Sequence, residues 1–555
     1  MSLSAAQLAT FDRNLSAVLR HSPQLAQRLC LSVTGDTASL QPDGTTHYHF
    51  GRQTWPLALS PTELADAVQV ATGQPEVRVF GAGCGDAVAA ILAQTQARVT
   101  LWERDPWLLR LLLATHDLHG HLWSGRLRLS LGIDILQIAG PGPPVAYHPL
   151  LRRRYAPEAH LMARGVGARR ALLCAGELFV DDLADALVEQ GWSVYTWEIQ
   201  RLDIAELERI RAGFGAEVAV SVNYTEGLAE ACVQHGLPLV CWEIDPATSF
   251  LRPLQPPARG SAKAAVFTYR PANVAAFRAA GFGQVQHLPL AANVVRRQPL
   301  ALTTAEQARY QSPVSFVGAS MVDNAQVFAA RFVAHHRRLR PHAPAGAAEA
   351  LMHVVLDAQG QDIRRWLIPA LLDQADPRLR ADARAAALDD PAMLLGEIAA
   401  AEKRLRCVGA LAPLGITAWG DPGWSRLDGV RYAGYAGHFH ELGRIYCASA
   451  VNIDVGRLYQ PDIVPMRIFD ILAHGGFVIA EHVEGIGSLF APGELVTWQS
   501  LPELYDKTAH YLKHPAEARA IARRGMQRVR ADHTIRGRLA QMMSAVGLSM
   551  NTVAA

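Results

Sequence analysis

The stretch Val464-Pro-Met-Arg-Ile-Phe-Asp-Ile-Leu-Ala-His-Gly-Gly-Phe-Val-Ile-Ala480 constrains this chain more than any other. It reads as a helix with a polar head that ends at paired glycines and passes straight into an apolar strand. Asp462 and Asp470 stand eight positions apart just before the glycines. The helical pitch would aim Arg467 and Asp470 from one helix end into one cleft. Such a cleft suits a sugar nucleotide. A ribose diol wants a carboxylate acceptor, and a diphosphate wants backbone N–H groups, a helix N-terminus and a cation.

With 555 residues, half of them apolar, the chain has room for about three domains with sizeable cores. Lys and Arg number 53 against 51 Asp and Glu, and no long basic run marks a nucleic-acid surface, so nucleic acid is not an expected partner. The seven cysteines are scattered and form no CxxC pair, which fits a reducing cytoplasm. No apolar run approaches the roughly eighteen residues that a membrane-spanning helix requires, and no basic head leads an apolar N-terminal core. A soluble, cytoplasmic protein is expected.

Two breaks, Ala139-Gly-Pro-Gly-Pro-Pro144 and the polar stretch Arg296 to Pro313, divide the sequence. They give three units, 1–155, 156–300 and 301–555, the last with a helical insertion over about 340–406 that shows no evident chemistry. Within each unit, short β-branched runs alternate with Ala/Leu-rich helical patterns, the signature of βαβ units around parallel sheets. The fold class expected is α/β, with three Rossmann-like units.

The first unit holds Val77-Arg-Val-Phe-Gly-Ala-Gly-Cys-Gly-Asp86, then a helix, then a strand ending at Glu103. Gly81, Gly83 and Gly85 would allow close approach of a nucleoside whose ribose Glu103 accepts, and the motif resembles that of S-adenosylmethionine-dependent Rossmann methyltransferases. The competing reading, which we favour, is a tight strand-to-helix turn in a fold that has lost its ligand. In the second unit the strand ends place Glu177, Asn223, Tyr224, Glu226, Glu243 and Asp245 where ligands of open parallel sheets bind, and any carboxylate among them could act as a base. In the third, Ser315-Phe-Val-Gly-Ala-Ser320 ends a strand in free N–H groups and a hydroxyl suited to a phosphate.

The ordered set Leu288-Pro-Leu-Ala-Ala-Asn293, Ser315-Phe-Val-Gly318, Glu441-Leu-Gly-Arg-Ile-Tyr446, Pro465-Met-Arg-Ile-Phe-Asp470, Ala473-His-Gly-Gly476, Glu484-Gly485 and His533-Thr-Ile-Arg-Gly-Arg538 resembles the spore-maturation CgeB-like glycosyltransferases. That resemblance implies a GT-B fold of two Rossmann lobes. The 156–300 unit would be the acceptor lobe and 301–555 the donor lobe. It implies transfer of a sugar from a UDP-, dTDP- or GDP-linked donor to a hydroxyl, with no cofactor and no metal required.

Carried over residue by residue, Asp470 would bind the donor ribose, while Arg467 and the Gly318 to Ser320 loop would neutralise the diphosphate. His438, Asn452, Gly475, Gly476, Glu484 and Gly485 would complete the donor site, and Arg467, with Glu177 and Asp245 taken from their place at strand ends, would be catalytic. A degenerate Rossmann domain ahead of such a transferase is similar to the arrangement in flagellin-modifying glycosyltransferases, which implies a Ser or Thr acceptor on a protein such as flagellin. Two alternatives stand beside this: an active methyltransferase fused to a sugar-binding module, and a non-catalytic remnant transferase.

Overall fold

The computed structural model describes residues 3–30, 37–41, 45–50, 53–175, 178–198, 204–245, 251–437 and 441–550. Its sheets follow the chain in order. Strands β1 (Ala38–Leu40), β2 (Thr46–Phe50) and β3 (Gln53–Pro56) form a small antiparallel sheet. Strands β4 (Glu76–Phe80), β5 (Arg98–Glu103), β6 (Leu127–Leu131) and β7 (Val145–Tyr147) pair in parallel in the order β6-β5-β4-β7. Strands β8 (Arg170–Ala175), β9 (Ser193–Glu198), β10 (Val218–Val222), β11 (Leu239–Glu243), β12 (Ala264–Thr268) and β13 (Gln284–His287) lie in the order β13-β12-β11-β10-β8-β9.

The last sheet is built from β14 (Ser312–Val317), β15 (Ile416–Trp419), β16 (Arg431–Tyr432), β17 (Ser449–Ile453), β18 (Val478–Glu481) and β19 (Val496–Trp498). Every neighbouring pair runs parallel, in the order β16-β15-β14-β17-β18-β19. This is the α/β class, with parallel sheets of Rossmann-like type.

The chain forms two compact units, Met1–Cys241 with Arg252–Ala265 and Met550–Ala555, and Trp242–Leu251 with Val266–Ser549. Within these units, side-chain contacts tie segments distant in sequence. In the first unit the buried Arg104 guanidinium, just past β5, donates to Tyr195 Oη at 3.0 Å and to Glu206 Oε1 at 2.9 Å. A cation desolvated between two sequence blocks binds them as one body. In the second unit Arg538 donates to the Pro289 carbonyl at 2.8 Å, and Ala292 N to the His533 carbonyl at 3.0 Å. The segment after β13 is thereby tied to the C-terminal helix Ile535–Ala545.

In the second unit the sheet core is apolar on both faces, with Phe316, Trp424, Ile453, Ile479 and Trp498 all buried, as a doubly covered parallel sheet requires. The expected helical insertion forms the helices Ala347–Gly360, Ile368–Ala375, Leu379–Ala385 and Pro391–Ala410. They enclose a satellite core of Val355, Ile368, Leu372, Leu395 and their neighbours.

Candidate functional site

In open parallel sheets ligands sit beyond the carboxyl ends of the strands. At that edge of the last sheet, β14 runs into a turn, Gly318 to Met321, and then into the helix Val322–Leu339. The turn is tightly fixed. Gly318 N donates to the Trp419 carbonyl at 2.9 Å, its own carbonyl accepts from Trp424 Nε1 at 2.8 Å, and Met321 takes a left-handed φ of 67°. Gly318 lets Arg467 approach closely: a Cβ there would stand 3.1 Å from Arg467 Nη2.

Arg467 and Arg404 stand at this turn, and the charge of Arg457 acts on Arg404. Arg467 lies in the first turn of the helix Met466–Ala473, donates to Asp454 Oδ1 at 2.6 Å, and stands 5.2 Å over the Phe316 ring. Arg404, on the helix Pro391–Ala410, donates to the Ala319 carbonyl at 2.8 Å. Arg457 bonds Tyr459 Oη and stands 3.4 Å from Glu397 Oε1.

Arg404 is the unusual member. It is 7% exposed, its Nε has no hydrogen-bond partner, and no carboxylate pairs with it among the described residues. Burial, then the like charges of Arg467 and Arg457, push its pKa down to about 9. Asp454, fully buried at the end of β17, keeps one carboxylate oxygen without a partner. The cluster is a partly shielded positive site, short of negative charge.

A second set of groups lies at the ends of β11 and β12. Glu243 is buried; Asn273 Nδ2 donates to its Oε2 at 3.1 Å, while Oε1 has no partner. Burial pushes this carboxyl up to about 7, against the Thr268 hydroxyl and the Asn273 amide. Asp245, two residues on, is exposed. Gln460 Nε2 donates to Tyr269 Oη at 2.9 Å, and Arg270 donates twice to Asp462 Oδ1, at 3.0 and 2.8 Å. Burial works against the Arg457 charge, but Tyr459, Glu397 and Asp245 raise its pKa overall, which links this set to the guanidinium cluster.

Several expected donor contacts are spent on the fold itself. Asn452, expected at the donor, is buried inside the sheet: it accepts from Ser315 Oγ at 2.8 Å and donates to the Phe477 carbonyl at 3.0 Å. Its amide locks β14 to β17 and faces no ligand edge. Ser320 is likewise buried, its hydroxyl bonded to Asp421 and its N donating to Asp421 Oδ2 at 2.7 Å, so the carboxylate shapes the turn and the hydroxyl is not free for phosphate.

Gly475 and Gly476 sit past the C-terminus of the helix Met466–Ala473, before β18, and therefore at the edge opposite the strand ends. Gly475, at φ 76°, closes that helix as Gly475 N donates to the Leu472 carbonyl and Gly476 N to the Ile471 carbonyl, both at 2.9 Å. A Cβ on Gly476 would be 2.9 Å from the Tyr446 carbonyl. Their role is closure and packing, in place of donor binding.

Asp470 is buried and accepts from Arg297 Nε at 3.1 Å. It shares the surroundings of Tyr446 with Arg467: burial, then the charges of Arg467, Asp470, Asp454 and Arg297, act on that phenol. Asp462 lies outside the helix, as Arg270's partner. Glu484 is exposed after β18, and Gly485 precedes the short helix Ile486–Leu489. Glu177 and His438 lie outside the described residues. No group of His, Cys, Asp and Glu among the described residues is placed to hold a metal ion.

The N-terminal glycine turn is filled by the chain's own side chains. A Cβ on Gly83 would fall 2.5 Å from the His148 ring, on Gly81 2.7 Å from Leu151, and on Gly85 2.4 Å from Leu112. Glu103, expected to accept from a ribose, is fully buried and takes N–H bonds from Ala82 and Arg104 at 2.7 Å and from Asp105 at 2.9 Å. Its carboxylate organises the turn that Gly81, Gly83 and Gly85 form.

Sequence reasoning overlooked Arg404 and Arg457. Its signal was present: Gly396, Ala399, Ala400, Lys403, Arg404, Cys407 and Val408 share the buried face of one helix, where two cations call for a reason.

Residues 392–544, which include all three arginines, match a family model described as glycosyl transferase-like. No curated protein matches the sequence. Among solved structures, the chain is similar to sucrose-phosphate synthase from Thermosynechococcus elongatus at 13% identity and a TM-score of 0.41, covering 68% of this chain and 98% of that one. A glycosyltransferase from Rickettsia africae is similar at 10% identity and 0.40, covering 68% and 97%. Anabaena HepE in complex with UDP-glucose is similar at 12% and 0.38, covering 68% and 99%. These likenesses are loose.

Proposed function

We propose that this protein is a GT-B glycosyltransferase of CgeB-like type that moves a sugar from a nucleotide donor to a hydroxyl, on a protein acceptor of the flagellin kind. The observation that carries this reading is the buried Arg404, without a carboxylate partner, at the Gly318 to Met321 turn that Arg467 also meets. A desolvated guanidinium without an anion costs free energy, and a diphosphate supplies the missing charge with bidentate geometry.

In the reaction the acceptor oxygen bonds to the anomeric carbon while the bond from that carbon to the diphosphate breaks. Negative charge builds on the departing phosphate, and preorganised cations aimed there lower the barrier. Arg467 and Arg457 meet the phosphate, Arg404 holds the turn through the Ala319 carbonyl and adds its charge from below, and Asp470 takes the ribose. The acceptor proton goes to a carboxylate, with Asp245 as the candidate. No helix among the described residues is long and apolar enough to cross a membrane, and none of the seven cysteines lies in a disulfide.

The test is turnover of UDP-, GDP- and dTDP-sugars by the full chain, with Arg467→Ala and Asp470→Ala as variants whose fold is checked by circular dichroism. Transfer or donor hydrolysis should vanish in both. Normal turnover in either variant would overturn its assignment, and no binding of any nucleotide by the native chain would overturn the reading as a whole.

A further inference from the structure

The loop after β16 carries an aromatic ring with nothing to pack against. Tyr435 is 67% exposed, more than any other exposed large hydrophobic or aromatic side chain among the described residues, and makes no ring contact, ion pair or side-chain hydrogen bond there. The backbone around it is held firmly on both sides. Upstream, Ala433 N donates to the Ala418 carbonyl at 3.0 Å and Gly420 N to the Gly434 carbonyl at 2.9 Å. Downstream, Gly437 N donates to Glu441 Oε2 at 2.9 Å, and Tyr310 Oη fixes the other oxygen of that carboxylate at 2.8 Å.

This loop adjoins the phosphate turn. Gly420, bonded to Gly434, lies against Gly318 so closely that a Cβ on it would fall 2.2 Å from the Gly318 carbonyl oxygen. Tyr432 Oη donates to the Gly420 carbonyl at 3.2 Å, and Asp421 next to it anchors Ser320. A ring anchored one residue from that contact stands at the same strand-end edge as the three arginines. A flat, solvent-exposed phenol on a fixed backbone beside a diphosphate site is suited to stack the face of a nucleobase.

We propose that Tyr435 is the stacking platform for the donor's base, an assignment that rests on the donor site proposed above. Stacking is tolerant of base identity because every base has a π-face. Tyr435 therefore supplies affinity for the nucleoside, and the choice among bases falls to other groups.

Calorimetric titration of the full chain with UDP, GDP, dTDP and inorganic pyrophosphate tests this, the nucleotides reading base plus phosphate and pyrophosphate reading phosphate alone. Tyr435→Ala should weaken the nucleotide that binds by about 5- to 150-fold, the loss expected for one stacking aromatic, and leave pyrophosphate binding unchanged. Tyr435→Phe and Tyr435→Trp should bind as the native chain does. Native nucleotide affinity in Tyr435→Ala, or an equal loss for pyrophosphate, would overturn the platform and leave the donor site standing. Absence of nucleotide and pyrophosphate binding by the native chain would overturn both.

Discussion

Arg404→Met should make the ligand-free protein more stable while abolishing its response to nucleotide. The guanidinium is buried, and its pKa falls from the usual 12.5 to about 9. At about 1.36 kcal/mol per pH unit, holding that charge costs the folded state about 5 kcal/mol. The substitution forfeits the bond to the Ala319 carbonyl, worth about 1.5–3 kcal/mol for a charged donor. Methionine retains most of the aliphatic packing, which leaves a net gain of about 2 kcal/mol.

The sign has a pH signature. The folded state binds this proton less tightly than the unfolded chain, so the cost is full below about pH 9 and is relieved as pH rises from 9 toward 12.5. The gap between variant and native chain should therefore narrow at alkaline pH. Chemical denaturation at pH 7, with and without UDP, reads both effects. A nucleotide at about 100 times its Kd should stabilise the native chain by about 2.7 kcal/mol and the variant by almost nothing. Destabilisation of the ligand-free variant by more than about 1 kcal/mol would refute the reasoning, because Arg404 would then be an ordinary member of the fold.

Lys403, one residue earlier on the same helix, should behave in the opposite way. Its ammonium is buried and stands 2.6 Å from Glu481 Oε1, so Lys403→Met should cost about 3–5 kcal/mol by denaturation, the penalty for a buried carboxylate left unpaired. Burial holds the Glu243 carboxyl at about 7, so the folded state binds its proton more tightly than the unfolded chain and stability is lost as pH rises through 7. Glu243→Gln should gain on the native chain between pH 4.5 and 7, by up to about 3 kcal/mol, and a pH-independent difference would contradict this. S-adenosylmethionine should leave the thermal midpoint unchanged, since His148 and Leu151 fill the glycine turn; a saturable rise would reinstate a ligand there.

The alternation of β-branched runs and amphipathic helices made the parallel sheets legible, because period-2 and period-3.6 patterns are local properties of sequence. The strand-to-helix turn at Gly318 and the helix that carries Arg467 were legible as structure for the same reason, lying at the junctions those patterns mark. Arg404 was not. The face pattern of its helix marks it as buried, but its partner, the Ala319 carbonyl, lies 85 residues away, and nothing local names that destination. Asn452, Gly475 and Gly476 erred the other way. Their residue types suit a ligand, but the Asn452 amide is consumed between neighbouring strands, and the glycines answer to a helix terminus and a close carbonyl. Arg104 hid the joining of the first two sequence blocks, since a buried cation bridging distant elements leaves no pattern at a linker.

The most direct test of the central claim is an experimental structure of the full chain soaked with UDP, GDP and dTDP in turn. The diphosphate of the nucleotide that binds should lie at the Gly318 to Met321 turn, within hydrogen-bond reach of Arg467 and Arg457 and above Arg404. A nucleotide bound elsewhere, with these three guanidinium groups facing solvent or carboxylates alone, would contradict it.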